Sequence, residues 1–233
     1  MRQVPASYLI IGSGRMAKHF CHYLSLLKLP YYQWARNTHT ENALHSIIPD
    51  FSHILLLIND GEIASFTKQL PIHQAQILVH FSGQLSLDNI HSAHPLCTFA
   101  HELYNSEIYQ SIPFILTEGS PPLSILLPGL PNAAYHITQE QKAFYHALCV
   151  LSGNFTCILW KKFFHELEKT LNLPPEVGIP YLNQISYNLR NNPQGALTGP
   201  LARKDNNTIQ ANLNALKNDE FLIIYQAFAN LFA

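Results

Sequence analysis

Charge is scarce in this chain. Fourteen Lys and Arg stand against fifteen Asp and Glu in 233 residues, so charged residues make up only 12%, about half the usual share. The net charge of −1 excludes the basic footprint of a nucleic-acid binder. Cysteine is sparse too. Cys21, Cys97, Cys149 and Cys157 contain no CxxC pair, which excludes a zinc ribbon, a thioredoxin-like centre and a dense disulfide framework. Buried thiols in a reducing compartment are the simpler reading. No apolar run approaches the ~20 residues that span a bilayer, and residues 1–5 lead into a strand-like segment without an apolar leader. The expectation is a cytoplasmic protein with neither membrane nor nucleic acid as partner. The thirteen His are scattered, with no HExxH or other dense ligand spacing, so no metal site is expected.

What is present is apolar. Hydrophobic residues form 47% of the chain, enough for a large core and incompatible with global disorder. Short apolar runs at 8–11, 31–35, 54–58, 77–80 and 114–117 alternate with helix-like segments, the first of them over 14–27. Near-continuous apolar strands separated by helices describe a doubly wound α/β sheet covered on both faces. After Thr138 no comparable strand run appears, and 139–171, 174–190, 207–216 and 220–232 read as helical. The expected domains are therefore residues 1–138, an α/β layer, and residues 139–233, all helical.

The first strand runs directly into Gly12-Ser-Gly-Arg-Met-Ala17. Between a strand and a helix, this is the GxGxxA form of the dinucleotide-binding fingerprint. Gly12 allows the tight turn, Gly14 lets a pyrophosphate reach the backbone, and Ala17 permits close helix–strand packing. Ser13, Arg15 and Met16 complete the loop, and the helix N-terminus offers free N–H groups to phosphate. The second strand ends in Gln33-Trp-Ala-Arg36-Asn37-Thr38. An acidic residue there suits a ribose diol, whereas an Arg suits a 2′-phosphate. Arg36, if not simply a solvated surface side chain, selects NADP over NAD.

Further segments carry a family resemblance: Leu57-Ile-Asn59-Asp60 beside the cofactor loop, His80-Phe-Ser82-Gly83 and His94-Pro95 after the next strand, and Gly195-Ala-Leu-Thr198-Gly-Pro-Leu-Ala-Arg203-Lys-Asp205. Together they resemble a family of bacterial oxidoreductase-like proteins that join a Rossmann domain to a helical C-terminal domain of unknown function. This family is akin to the 6-phosphogluconate dehydrogenase-like group, with pyrroline-5-carboxylate reductase and ketopantoate reductase as more distant relatives. The resemblance implies an NADP-binding Rossmann fold with a doubly wound parallel sheet, an all-α 6-phosphogluconate dehydrogenase C-terminal-like domain, an active-site cleft between them, and a homodimer. Hydroxyacid dehydrogenases of the wider group carry a Lys four residues before an Asn. Here Val150 precedes Asn154 by four, so that Lys is missing.

Hydride transfer to a ketone or imine needs a proton donor and a group to hold the substrate. His146 can donate near neutral pH, and Asn154 can orient substrate or nicotinamide. Eight residues place them roughly 80° apart on a regular helix. A surface histidine and a helix–helix hydrogen bond are the bland alternatives. His80 and Ser82 end a strand on the side where open α/β sheets bind ligands. His94 stands in a proline-restricted loop. Thr198 and Arg203 offer a hydroxyl and a cation for an anionic substrate, and Asp205 joins them, unless it caps the helix that follows. Asn59 and Asp60 are expected over the cofactor. The function read from this pattern is an NADP(H)-dependent reductase of a small carbonyl or imine compound, a 2-oxo acid such as ketopantoate being the concrete candidate. The alternative is a non-catalytic NADP(H) sensor or regulator.

Overall fold

In the computed structural model, which describes residues 7–232, the apolar runs are strands whose alternate side chains face two different cores. Tyr8, Ile10, Leu55 and Val79 point into one cluster; Leu9, Ile11, Ile54 and Leu56 point into the other. Period-two alternation with both faces apolar is what a sheet sandwiched between helices requires. Residues 1–5, read as lacking an apolar leader, lie outside the described residues.

Seven strands form one sheet in the order β2-β1-β3-β4-β5-β6-β7. They are β1 (Tyr8–Ile11), β2 (Tyr31–Trp34), β3 (His53–Leu56), β4 (Ile77–His80), β5 (His91–Pro95), β6 (Phe114–Thr117) and β7 (Ala134–Ile137). All neighbours are parallel except β5 and β6, where Ala93 faces Leu116 in antiparallel register. The fold is the expected Rossmann fold with a doubly wound, mostly parallel sheet, in which β6 and β7 run against the other strands. The helix α1 (Arg15–Leu26) covers one face with Ala17, Phe20, Cys21 and Leu24, and α2 (Glu41–Ile47) and α3 (Asp60–Thr67) cover the other with Leu44, Ile63 and Phe66. The small helices α4 (Ser106–Ser111) and α5 (Leu123–Leu126) follow.

One difference from the sequence expectation concerns chemistry. His94-Pro95 is not a loop but the end of β5, a polar strand (His-Ser-Ala-His-Pro) with no apolar run to announce it. Pro95, which has no N–H to give to the ladder, is its last residue. Asp60, expected over the cofactor, opens α3 with Asn59 at its N-cap position.

From Gln141 the chain is helical: α6 (Gln141–Cys149), a π-helical stretch Val150–Phe155, and α7 (Thr156–Lys169) run on as one 29-residue helix. By length and composition this helix is apolar enough to cross a membrane, its best window having a mean hydropathy of 1.3. The sequence expectation missed it because Tyr145, His146, Ser152 and Asn154 interrupt every apolar run. The chain separates into a unit that ends at Cys157 and another that begins at Ile158. The division falls beyond residue 138 because α6 packs Lys142 into the first unit, where it is buried and bonded to Ser92.

The second unit holds the rest of α7, then α8 (Ile179–Asn191), α9 (Gly199–Arg203), α10 (Asn206–Ala215) and α11 (Leu222–Phe232). Lys162 pairs with Glu166 one turn on along α7 at 2.9 Å and ties that helix to the turn before α11 through Asp219 at 2.7 Å. Trp160, Phe163, Phe164 and Tyr181 cluster between α7 and α8. All four cysteines are free thiols; Cys21 is buried, whereas Cys157 is exposed, contrary to the expectation of uniformly buried thiols.

Candidate active site

A cleft of about 670 Å³ crosses the carboxyl ends of the parallel strands within the first unit. Open α/β sheets bind ligands on this side, where the strand order reverses about β1. The cleft begins at Arg36 after β2, passes Gly12–Met16 after β1 and Leu57–Asp60 after β3, and ends at Ser82 and Gly83 after β4 and at His94 in β5, with His146 on α6 above.

The turn after β1 is built for close approach on both sides. Gly12 has φ +134°, and a Cβ on it would lie 2.2 Å from the Leu57 carbonyl oxygen, so only glycine lets β1 and β3 stay this near. Its N–H donates to the Trp34 carbonyl oxygen at 2.9 Å, and the Gly12 carbonyl oxygen accepts from Gln33 Nε2 at 2.8 Å. Gly14 is the opposite case. It takes an ordinary φ of −66° at the N-cap of α1, and a Cβ there would meet nothing within 4 Å. At an N-cap such open space lies beside a helical turn whose first N–H groups lack helical partners and suit a phosphate.

Ser13, Arg15 and Met16 line the cleft as well, but Ala17 does not. It is fully buried under α1, where its small side chain sets the helix–strand distance. Its assignment to cofactor contact is therefore corrected to packing. Arg36 lines the cleft with its guanidinium 3.7 Å from Glu62, both side chains largely exposed; such a pair is weak and leaves the cation available. Asn59 and Asp60 also line it, and Asp60 accepts a 2.5 Å hydrogen bond from Ser82 Oγ, a charge-assisted contact that fixes the loop after β4.

The far end of the cleft carries the titratable groups. His94 Nδ1 lies 2.7 Å from Tyr145 Oη. Above Gly83 there is no room for a side chain: a Cβ would come within 2.7 Å of the His146 ring and 3.2 Å of the His94 ring. Burial, helped by His146 and Lys142 nearby, pushes His94 down to about 4, so its ring is neutral at pH 7. Burial pushes the Tyr145 hydroxyl upward, so it stays protonated.

His80 does not reach the cleft. It is fully buried, its Nδ1 accepts from the Ser82 N–H at 3.3 Å, and its Nε2 has no partner; burial first, then Lys142 and His91, lower it to about 4. Asn154 lies in the π-helical stretch, exposed and away from the cleft. Its i→i+5 winding breaks the 3.6-residue count that placed it near the face of His146. Thr198, Arg203 and Asp205 belong to the second unit. Thr198 occupies the N-cap position of α9 and Arg203 its last turn, both exposed. Asp205 caps α10, accepting from Thr208 N–H at 3.1 Å and Thr208 Oγ1 at 2.7 Å; these bonds hold its carboxyl below the usual range.

Sequence reasoning overlooked Lys142. It is 3% exposed, donates to Ser92 Oγ at 2.5 Å and Thr117 Oγ1 at 3.4 Å, and lines a narrow space together with His94 and Tyr145. Burial lowers it to about 8, against the opposing charge of Asp60. The signal available was its position four residues before His146 on one helix face. No group of His, Cys, Asp and Glu suited to a metal occurs among the described residues.

A glycine turn after β1, open space at the N-terminus of α1 and a cation after β2 stand on a Rossmann sheet followed by helices, the arrangement in which such folds hold dinucleotides. Residues 117–231 match the family described as a domain of unknown function, DUF2520, the stretch that contains the Leu-Thr-Gly-Pro segment. No curated protein sequence matches the chain. Among solved structures it resembles a Bacteroides fragilis protein described as a candidate NADP oxidoreductase, with TM-score 0.78, 20% identity and 97% of each chain covered. A Thermotoga maritima protein matches with TM-score 0.70 and 21% identity over 97% of this chain and 96% of that one. Plasmodium falciparum pyrroline carboxylate reductase, solved with NADP bound, matches with TM-score 0.61 and 10% identity over the same shares.

Proposed function

We propose that the protein is an NADP(H)-dependent oxidoreductase that reduces a C=O or C=N group of a small substrate. The observation that carries this reading is the course of the cleft, from Arg36 at one end to His94 and His146 at the other, with the Tyr145 hydroxyl bonded to His94. The glycine cradle and the open N-terminal turn of α1 fit the pyrophosphate, and Arg36 fits a 2′-phosphate. The bound dinucleotide supplies a hydride at its nicotinamide end. The chain's own residues do the rest. Gly83 lets the His94 and His146 rings come close at that end, the neutral His94 orients the Tyr145 hydroxyl, and Tyr145 or His146 delivers the proton to the substrate heteroatom. Two of the similar structures are described as a candidate NADP oxidoreductase and as an NADP-bound pyrroline carboxylate reductase, which supports the reading.

An anionic substrate, with a 2-oxo acid such as ketopantoate as the candidate and Arg203 as its cation, belongs to the same proposal. So do a cytoplasmic location, where such reductases meet NADPH, and a homodimer. Phe144, Leu148, Leu151 and Phe155, exposed on the long helix, favour a second copy. The test is loss of NADPH absorbance against a panel of 2-oxo acids, ketones and cyclic imines. Oxidation that depends on one acceptor supports a reductase, and Arg203→Ala then raises KM for that acceptor. Tight NADPH binding without oxidation by any of them points to a sensor instead.

A further inference from the structure

Lys142 is an ammonium group buried without a carboxylate: no ion pair includes it among the described residues. Burying an unpaired charge is costly, and its two partners, Ser92 and Thr117, are neutral hydroxyls. Its surroundings form a sequence of spaces. Gly83 and His94 line both the cofactor cleft and the narrow space around Lys142 and Tyr145. Ser92 and Thr117 line that narrow space and also a separate cavity of about 220 Å³, which Glu118, His91 and His80 line too. Lys142 therefore stands between the reacting end of the cleft and a second, polar cavity behind it.

We propose that Lys142 is a proton-relay residue, refilled from the rear cavity through Ser92 and Thr117, that resupplies the Tyr145–His94 pair. This inference rests on the reductase reading, because each reduction consumes one proton as well as one hydride. The hydride forms the new C–H bond at the acceptor carbon, and the π pair of C=O or C=N moves to the heteroatom. The heteroatom takes the Tyr145 hydroxyl proton. Tyr145, one helical turn from Lys142, regains a proton from the ammonium and leaves a neutral amine. Ser92 passes its hydroxyl proton to that amine and takes another from water in the rear cavity. Protons and electrons balance, with the reduced nucleotide as reductant. A lysine that gives up its proton near pH 8 suits the task better than an ordinary one. The charged and titratable groups nearest it are Asp60 from α3, His80 from β4, His94 from β5 and Tyr145 on its own helix, and Asp88, His91 and Glu118 line the rear cavity.

The experiment combines NADPH oxidation, NADPH binding and NMR of protein labelled with 13Cε-lysine. Lys142→Met is expected to lower kcat by about 100-fold or more, leave NADPH affinity within about threefold, and abolish the alkaline limb of the pH–rate profile near pH 8. Lys142→Arg, which keeps a charge but cannot release its proton, is expected to fail equally. The double variant Ser92→Ala/Thr117→Val, which serves if Lys142→Met does not fold, is expected to lower kcat without raising KM and to enlarge the solvent isotope effect. In the cofactor-free protein, the Cε resonance that Lys142→Arg removes should titrate near pH 8. Wild-type turnover with Lys142→Met or Lys142→Arg retaining kcat overturns the relay alone, as does a Cε resonance that stays charged to pH 10. NADPH bound but oxidised by no acceptor overturns the reductase reading, and the relay with it.

Discussion

Gly12→Ala changes one hydrogen to a methyl group, and the structure gives its effect a size. The new Cβ would sit 2.2 Å from the Leu57 carbonyl oxygen and 2.8 Å from its carbonyl carbon. Both are backbone atoms, so no side-chain rotation relieves the clash. Leu57 N donates to the Ile11 carbonyl at 2.9 Å immediately beside it, so parting the chains by the ~1 Å that would restore van der Waals contact strains that bond as well. Overpacking of this kind costs roughly 1–3 kcal/mol. Holding alanine at φ +134° adds roughly another 1–3 kcal/mol. The expected loss is about 2–6 kcal/mol, or a fall in Tm of roughly 5–20 °C for a chain of this size. Gly14→Ala is the control, because φ is −66° and the space is empty. Thermal unfolding followed by circular dichroism reads both variants. If Gly12→Ala melts with the wild type, β1 and β3 are not as close as described and the account of the cradle is wrong.

The other predictions follow from single sites. Gly14→Val should keep the wild-type Tm but lose the rise in Tm that NADPH gives, since its side chain fills the opening for phosphate; an unchanged NADPH affinity would make the loop a mere turn. Asp205→Ala removes the cap of α10 and should cost about 1 kcal/mol, read by urea unfolding; no loss would mean that Asp205 is free for other contacts. His80 and His94 are lowered from 6.5 to about 4, so the unfolded chain takes up protons first as pH falls. The stability they contribute is fully present above pH 6.5 and is lost towards pH 4, roughly 3 kcal/mol for the buried His80. Unfolding free energy that is flat from pH 6.5 to 4.5, where ordinary carboxylates are still ionised, would contradict their burial as neutral rings.

The parts of the molecule that were legible in the sequence are those with a strong local signal. Tyr8–Ile11 followed by Gly12–Ala17 announces strand, turn and helix in one stretch, because phosphate binding demands glycine where the backbone must be bare. β5 was hidden because it uses His, Ser and Pro instead of an apolar run. Its strand character comes from pairing with β4 and β6, a tertiary effect that composition does not carry. Lys142 was hidden for a related reason. A lysine near a helix start reads as solvated, and only the packing of α6 against Ser92 and Thr117 buries it. Asn154 misled because a π-helical stretch changes the winding, and no pattern of side chains marked it.

The central claim is that the cleft holds NADP(H), with Arg36 gripping the 2′-phosphate. Calorimetric titration of the protein with NADPH and with NADH, repeated on Arg36→Asp, tests it most directly. The account predicts that the wild type binds NADPH more tightly than NADH by about 1.5–3 kcal/mol, the worth of hydrogen bonds to a charged group, and that Arg36→Asp narrows or reverses the preference. Equal affinities in the wild type, or no binding of either nucleotide, would contradict it.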